Sequence, residues 1–207
     1  MRNVFIGLLL AAGLLPACQP GPKTEAAFYQ WLHDPGNGLV QTRQIGDLHI
    51  SVKYLPAELL AYRELGGAGC SAQRADSLRA RYRQSHAFLL TLKPVGSVTG
   101  GEDVMYRGVG NYAAYKQRVM DLNFSLDRYV RLRDGEKEVK PQLHTLENTY
   151  GATEGRSLYL VFENAAAGGS TLDFVFSDEI LGTGISHFRF RKSDLENVPS
   201  IAYAGTN

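Results

Sequence analysis

Cysteine is almost missing from this 207-residue chain: Cys18 and Cys70 are the only two. That excludes a disulfide-dense scaffold and a cysteine-built zinc ribbon. An excess of one charge is missing as well, with 22 Lys+Arg against 21 Asp+Glu and a formal net charge of +1. No strong overall field is therefore available to attract nucleic acid or an anionic membrane. The familiar catalytic signatures are also absent: no Gly-x-Ser-x-Gly elbow, no His-Glu-x-x-His, no Cys-x-x-Cys and no phosphate-binding loop. No repeat of fixed period appears, and no linker divides the body of the chain. What is present is 44% hydrophobic and 21% charged residues, the composition of an ordinary globular domain and not of a disordered one. The length suits one sizeable core, or at most two small ones.

The most informative segment is the first. Arg2 supplies a positive start, and Val4 to Leu15 form an apolar run too short to cross a bilayer as a permanent helix. The run ends in Leu15-Pro16-Ala17-Cys18. This ending resembles the lipobox of bacterial lipoproteins, with an apolar residue three before the cysteine and a small residue just before it. Pro16 departs from the small or β-branched residue usual at its place. The resemblance covers Met1 to Cys18 only, so it implies an address and an anchor and no activity. It implies that residues 1–17 are a cleaved signal peptide and that Cys18 becomes the acylated N-terminus, diacylated through sulfur and open to acylation on its amine. An ordinary secretory signal cleaved nearby, or an uncleaved anchor, are the alternatives. Several acyl chains, at about 0.8 kcal/mol per buried CH₂, anchor a protein stably where one chain does not.

Removal of residues 1–17 takes Arg2 from the 22 basic residues, leaving 21 of each sign. Residues 18–23 then form a lipidated tether whose Pro20, Gly21 and Pro22 resist helix. Residue 19 is glutamine and not the aspartate that retains some lipoproteins at the inner membrane, so the expected location is the outer membrane of a bacterial cell envelope. With Cys18 lipidated, Cys70 has no intramolecular partner. It is read as a buried small hydrophobe, with a free thiol in the Gly66–Cys70 loop as the alternative.

Residues 24–207 read as a single α+β domain. Thr24 caps a helix in which Phe28, Trp31 and Leu32 form one face. Leu48, Ile50, Val52 and Tyr54 alternate with His49, Ser51 and Lys53, a strand with one wet face. Pro56 opens a helix carrying Leu59, Leu60 and Leu65. Ala75, Leu78 and Tyr82 share a face of the next helix. His86 to Lys93 reads as a strand buried on both faces, and Tyr112, Tyr115, Val119 and Leu122 as a further helical patch. Alternation is expected to resume at Phe124 and run through Val130 and Leu132 to a hairpin at Asp134-Gly135. Further strands run through Leu158 to Phe162, Leu172 to Phe176, and Phe188 with Phe190. Ser193 to Glu196 resembles a capping box. The expected fold is an antiparallel β-sandwich-like sheet with helices in the N-terminal and middle parts.

Several constellations deserve a functional reading beside a structural one. His144 and Glu147 are both metal-capable, but on a strand a spacing of three points them to opposite faces. Cys70 with His86, and Asp76 as orienter, form a conceivable thiolate pair. Asp178-Glu179 before Gly182-Thr183-Gly184 resembles a calcium loop only weakly, and a structural turn explains it. Arg74, Arg79, Arg81 and Arg83 make a local basic patch, suited either to a polyanion or to solvent. In the last strand, Phe188 and Phe190 facing the core place His187, Arg189 and Arg191 together on the outer face. These three, with Arg79, are the candidate anion- or partner-binding residues. The bland reading of the stripe is a solvated face paired to acids on a neighbouring strand. Most aromatics fall in core phase. No cofactor, metal or nucleic acid is expected, and no catalytic residue is assigned. The expected function is that of a membrane-anchored envelope protein acting through binding or envelope organisation, with an unknown envelope protein or a polyanion as partner. The alternative is an envelope hydrolase acting on glycan or peptide.

Overall fold

The structure is a computed structural model that describes residues 21–67, 69–96, 103–147, 154–165 and 168–203. Residues 1–20, with the lipobox-like ending and Cys18, lie outside the described residues, as does most of the Gly96–Gly101 loop.

Chain entry is set by local chemistry. The Thr24 hydroxyl accepts the Ala27 N–H at 3.3 Å and starts α1, Glu25–Leu32, whose Phe28 and Leu32 are buried. A 3₁₀ turn at Pro35–Asn37 leads to a hairpin of β1, Val40–Ile45, and β2, Leu48–Leu55. Two helices follow, α2 (Ala57–Leu65) and α3 (Ala72–Tyr82), and then β3, Ser85–Pro94. After a 3₁₀ turn at Val104–Tyr106 comes α4, Tyr112–Phe124, capped by Asn111, whose side chain accepts the Ala114 N–H at 2.9 Å. The remaining elements are β4 (Val130–Asp134), β5 (Lys137–Val139), β6 (Leu143–Leu146), β7 (Arg156–Glu163), β8 (Thr171–Asp178), β9 (Gly184–Arg191) and α5 (Lys192–Glu196).

Among the described residues the strands form two antiparallel sheets, ordered β1-β2-β3-β7-β6 and β5-β4-β8-β9. The inner faces meet through phenylalanines. Phe88 of β3 lies 5.3 Å from Phe174 and 5.4 Å from Phe190, and Phe162 of β7 lies 5.8 Å from Phe174. All four rings are fully buried. Such ring pairs add roughly 0.5–1.5 kcal/mol each beyond the area they remove from water. The expected α+β sandwich is therefore what the chain forms. No helix of the described residues is long and apolar enough to cross a membrane.

Three local expectations are corrected. The chain does not return to alternation at Phe124: α4 runs to that residue and a 3₁₀ turn at Leu126–Arg128 precedes β4, so strand phase begins only at Val130. Tyr112 does not dock with Leu122 but stands 78% exposed. Ser193 does not cap α5, because the helix starts at Lys192, straight from β9, and Arg191 holds the cap position without a side-chain bond. The Lys192 N–H is already used by the Ser170 carbonyl at 2.9 Å, so the chain turns there without help from Ser193.

The sandwich has two distinct ends. At one, β2, β4, β7 and β9 finish and β3 and β8 begin, and α2, α3 and α5 gather round that mouth. Lys23 joins here: its N–H donates to Ser200 at 2.8 Å and its carbonyl accepts Ala202 at 2.9 Å. At the other end Arg107 clamps Asp47 of the β1–β2 turn and donates to the Leu181 carbonyl at 3.0 Å. Arg118 of α4 donates there to the carbonyls of Met105, Arg107 and Ile180 at 3.0, 2.6 and 3.3 Å.

Candidate functional site

The mouth of the sandwich holds a cleft of about 540 Å³, lined by the ends of β2 and β3, the first turn of α2, the last turn of α3, and the segment from α5 to Ser200. That volume is in the range of small-molecule sites. Pro56 sets the extended residue before α2, and Glu58 follows in its first turn. Glu58 is 6% exposed. Its Oε1 accepts the backbone N–H of Ile201 at 2.7 Å, and its Oε2 lies 3.2 Å from Arg79 Nε. That last contact is ionic and lacks hydrogen-bond alignment, since Arg79 Nε has no bonding partner. Burial pushes the Glu58 carboxyl above its ordinary range, against the opposing pull of the Ile201 N–H and the Arg79 charge. The Arg79 guanidinium also sits 5.5 Å over the Tyr203 ring, and Tyr203 is pushed up to about 12, chiefly by burial.

His86 lies across the mouth, on the inner face of β3 two residues before Phe88. Its ring is 6.1 Å from that of Tyr54. Burial lowers its basicity, partly offset by a hydrogen bond with Asn164, so the ring is held neutral at neutral pH. Its Nδ1 is buried and without a partner. Burial also pushes the Tyr54 hydroxyl up to about 12. Beyond His86, Lys192 Nζ stands 2.7 Å from both carboxylate oxygens of Asp134, itself 4% exposed. Arg83, the C-cap of α3, reaches the rim exposed, with no carboxylate partner among the described residues. Cationic groups from α3 with its C-cap and from α5 thus line one mouth, together with the carboxylate of Glu196 and an apolar stretch from Pro56, Leu195 and Val198.

The outer stripe on β9 is arranged as the alternation requires: Phe188 is 1% exposed and Phe190 fully buried, with His187, Arg189 and Arg191 on the opposite face. Acids accompany it. His187 Nδ1 lies 2.8 Å from Asp173 Oδ2, and Arg191 Nε lies 2.8 Å from Asp194 Oδ2. Asp173 stands opposite Arg189 on one side and Arg133 on the other, and Arg133 is bonded to Glu138 at 2.6 Å. Charges alternate across the sheet, as in the bland reading of the stripe. Beside it Arg43 of β1 straps the two sheets, donating from Nε to the His187 carbonyl at 2.8 Å. Arg79 lies instead in the mouth, against Glu58 and the Tyr203 ring, so the four candidate residues do not form one site.

The other constellations separate. His144 Nε2 bonds the Asn123 carbonyl at 3.0 Å, and Glu147 lies beyond the end of β6. Cys70 Sγ lies 3.5 Å from the Leu65 carbonyl, and Asp76 pairs with Arg79 at 3.2 Å, so neither serves His86. The buried Asp178 carboxylate accepts N–H groups of Leu181 at 2.8 Å and Thr183 at 3.2 Å, which makes it the anchor of a turn. No group of metal-capable side chains assembles among the described residues. The helical basic patch also divides: Arg81 turns to Glu64 and Tyr82, whereas Arg79 points inward.

Sequence reasoning missed Glu58, Asp134 and Lys192, and singled out His86 only as a partner for Cys70. Their one sequence signal is weak: each sits at an element boundary, where charged residues are common for many reasons. No family model, curated protein or solved structure matches the chain.

Proposed function

We propose that this chain is a bacterial envelope lipoprotein, anchored to the outer membrane through Cys18, whose domain binds a small acidic organic molecule in the mouth cleft. The lipobox-like ending at Leu15 to Cys18 supports the anchor. The cleft supports the binding role: Arg83 brings to the rim a positive charge that no carboxylate among the described residues pairs, Arg79 and Lys192 line the wall in pairs with Glu58 and Asp134, and Pro56, Leu195 and Val198 offer an apolar wall to the body of the ligand. The buried acids beside it, Glu58 and Asp134, are already committed to cations, which favours binding over acid–base catalysis.

Anchor and cleft fit together. Five residues from Cys18 to Lys23 span at most about 18 Å. Lys23 is bonded to Ser200, which lines the cleft, so an anchor at Cys18 holds the mouth close to the bilayer. Acids that partition from the membrane are then presented at the site.

Full-length protein in lipid nanodiscs tests the reading with two probes, hexanoate and glycerol phosphate. A saturable rise in melting temperature with either probe, lost in Arg83→Glu, is expected. If neither probe shifts melting or the His86 ring resonances, the cleft is not an acid-binding site.

A further inference from the structure

Among the described residues six large apolar side chains are prominently exposed, and five of them lie on or beside α4. These are Tyr106, Tyr112, Met120, Phe124 and Leu143, at 53%, 78%, 44%, 70% and 52%. Tyr112, Lys116, Met120 and Phe124 follow one another at intervals of four along α4, which makes them a single ridge of the helix surface. The other face of α4 is already used. Leu122 is 1% exposed, Tyr115 and Val119 pack on the core, and Arg118 is tied to the Met105, Arg107 and Ile180 carbonyls. The helix thus carries two apolar faces, and the fold buries one.

The second face is ordered in advance. Tyr106 lies flat on Tyr115, with centroids 4.7 Å apart and planes 9° from parallel, and Tyr112 continues the stack at 6.3 Å. With roughly 150–250 Å² for each aromatic side chain, the exposed parts of the five residues come to about 600 Å². That is most of the roughly 800 Å² each partner brings to a standard interface.

We infer that this ridge is the twofold interface of a homodimer. Four equally spaced positions are self-complementary about an axis through the middle of the ridge. Tyr112 then meets Phe124 of the second copy, and the Lys116 stem lies over Met120 of the second copy with its ammonium at the rim. Ridges of this spacing interlock at a crossing angle of about −50°. Ala113, exposed beside the ridge, leaves the groove shallow enough for close approach. The fold disfavours a bilayer as occupant. The carbonyls that hold Arg118 belong to the end of the sandwich opposite Lys23, where the chain enters.

Full-length protein in its own membranes tests this. On a Cys70→Ser background, Met120→Cys is treated with a short bis-maleimide. The expected product is a band of twice the chain mass, absent from Cys70→Ser alone and from Ile185→Cys, whose exposed side chain lies on another face. Adding Phe124→Glu should reduce that band at least tenfold, while circular dichroism shows the same fold and melting stays cooperative but loses its dependence on protein concentration. Three results would overturn the proposal: no band from Met120→Cys, a band undiminished by Phe124→Glu, or a product whose mass shows a different protein. Quenching of a fluorophore at residue 120 by spin-labelled lipid would assign the ridge to the bilayer instead.

Discussion

Glu58 and Ile201 meet across 143 residues of chain, the carboxylate accepting the backbone N–H at 2.7 Å. One side chain of α2 thereby fixes the C-terminal segment that forms a wall of the mouth, while its other oxygen faces Arg79. Removing it strands a buried N–H and leaves the largely buried Arg79 guanidinium with the exposed Asp76 as its remaining carboxylate. Glu58→Ala should cost about 3 kcal/mol, in the range for breaking a buried pair. Glu58→Gln keeps an acceptor for Ile201 and should cost about 1 kcal/mol. Urea unfolding of the two variants measures the difference, and equal costs would mean that the Ile201 bond contributes nothing.

The mouth also sets a dependence on pH. Burial holds the His86 imidazole below its ordinary value of 6.5. Its stabilising contribution is therefore complete above 6.5 and is lost as pH falls through the lower folded value. Glu58 behaves oppositely. Its carboxyl is raised from 4.5, so its contribution is complete below that value and is lost as pH climbs through the raised one. Between about pH 7 and 5 the melting temperature should fall because of His86, and the fall should shrink in His86→Asn. Melting curves of both proteins across that interval decide it, and parallel curves would show that the ring is not buried as neutral imidazole.

The alternating charges on the outer sheet face make a different forecast. Arg189→Glu places a carboxylate opposite Asp173, and Arg191→Glu removes the pairing with Asp194. Both sites are solvated, so the cost should stay within about 1 kcal/mol for each substitution. Hexanoate or glycerol phosphate binding at the mouth should not change, because the stripe is elsewhere. A double variant that folds normally but loses probe binding would move the acid site from the mouth to this face.

How much of this was legible beforehand depends on how local each cause is. The Thr24 cap, the alternation from Leu48 to Tyr54 and the Asp134-Gly135 hairpin rest on neighbours in sequence, and all three form. β1 was unreadable because Gln41, Thr42, Arg43 and Gln44 show no alternation. It is an edge strand, half-exposed to exposed throughout, made by its pairing with β2. Alternation at Leu158 to Phe162 and at Leu172 to Phe176 is plain, yet nothing in either run says that β7 and β8 belong to opposite sheets. The mouth was illegible for the same reason. Glu58, His86 and Lys192 come from three distant segments, and only the closing of the sandwich makes them neighbours.

The two cysteines answer to different chemistry, Cys18 at the proposed anchor and Cys70 beside α2. Cys70 is a free thiol, half-buried, with Sγ 3.5 Å from the Leu65 carbonyl. If Cys18 carries lipid through its sulfur, the mature protein holds one titratable thiol after denaturation without reductant. Cys18→Ser should then abolish incorporation of labelled fatty acid and leave unprocessed precursor, or soluble protein where another peptidase acts. Cys70→Ser should leave labelling intact and cost about 0.5–3 kcal/mol, the ordinary range for a point change. The two substitutions separate because the first acts on the anchor and the second on packing beside α2. A disulfide between the two cysteines, found by mass spectrometry of the unreduced protein, would contradict the anchor outright, since a sulfur bound to lipid cannot be bound to sulfur. Unchanged labelling in Cys18→Ser would do the same from the other side.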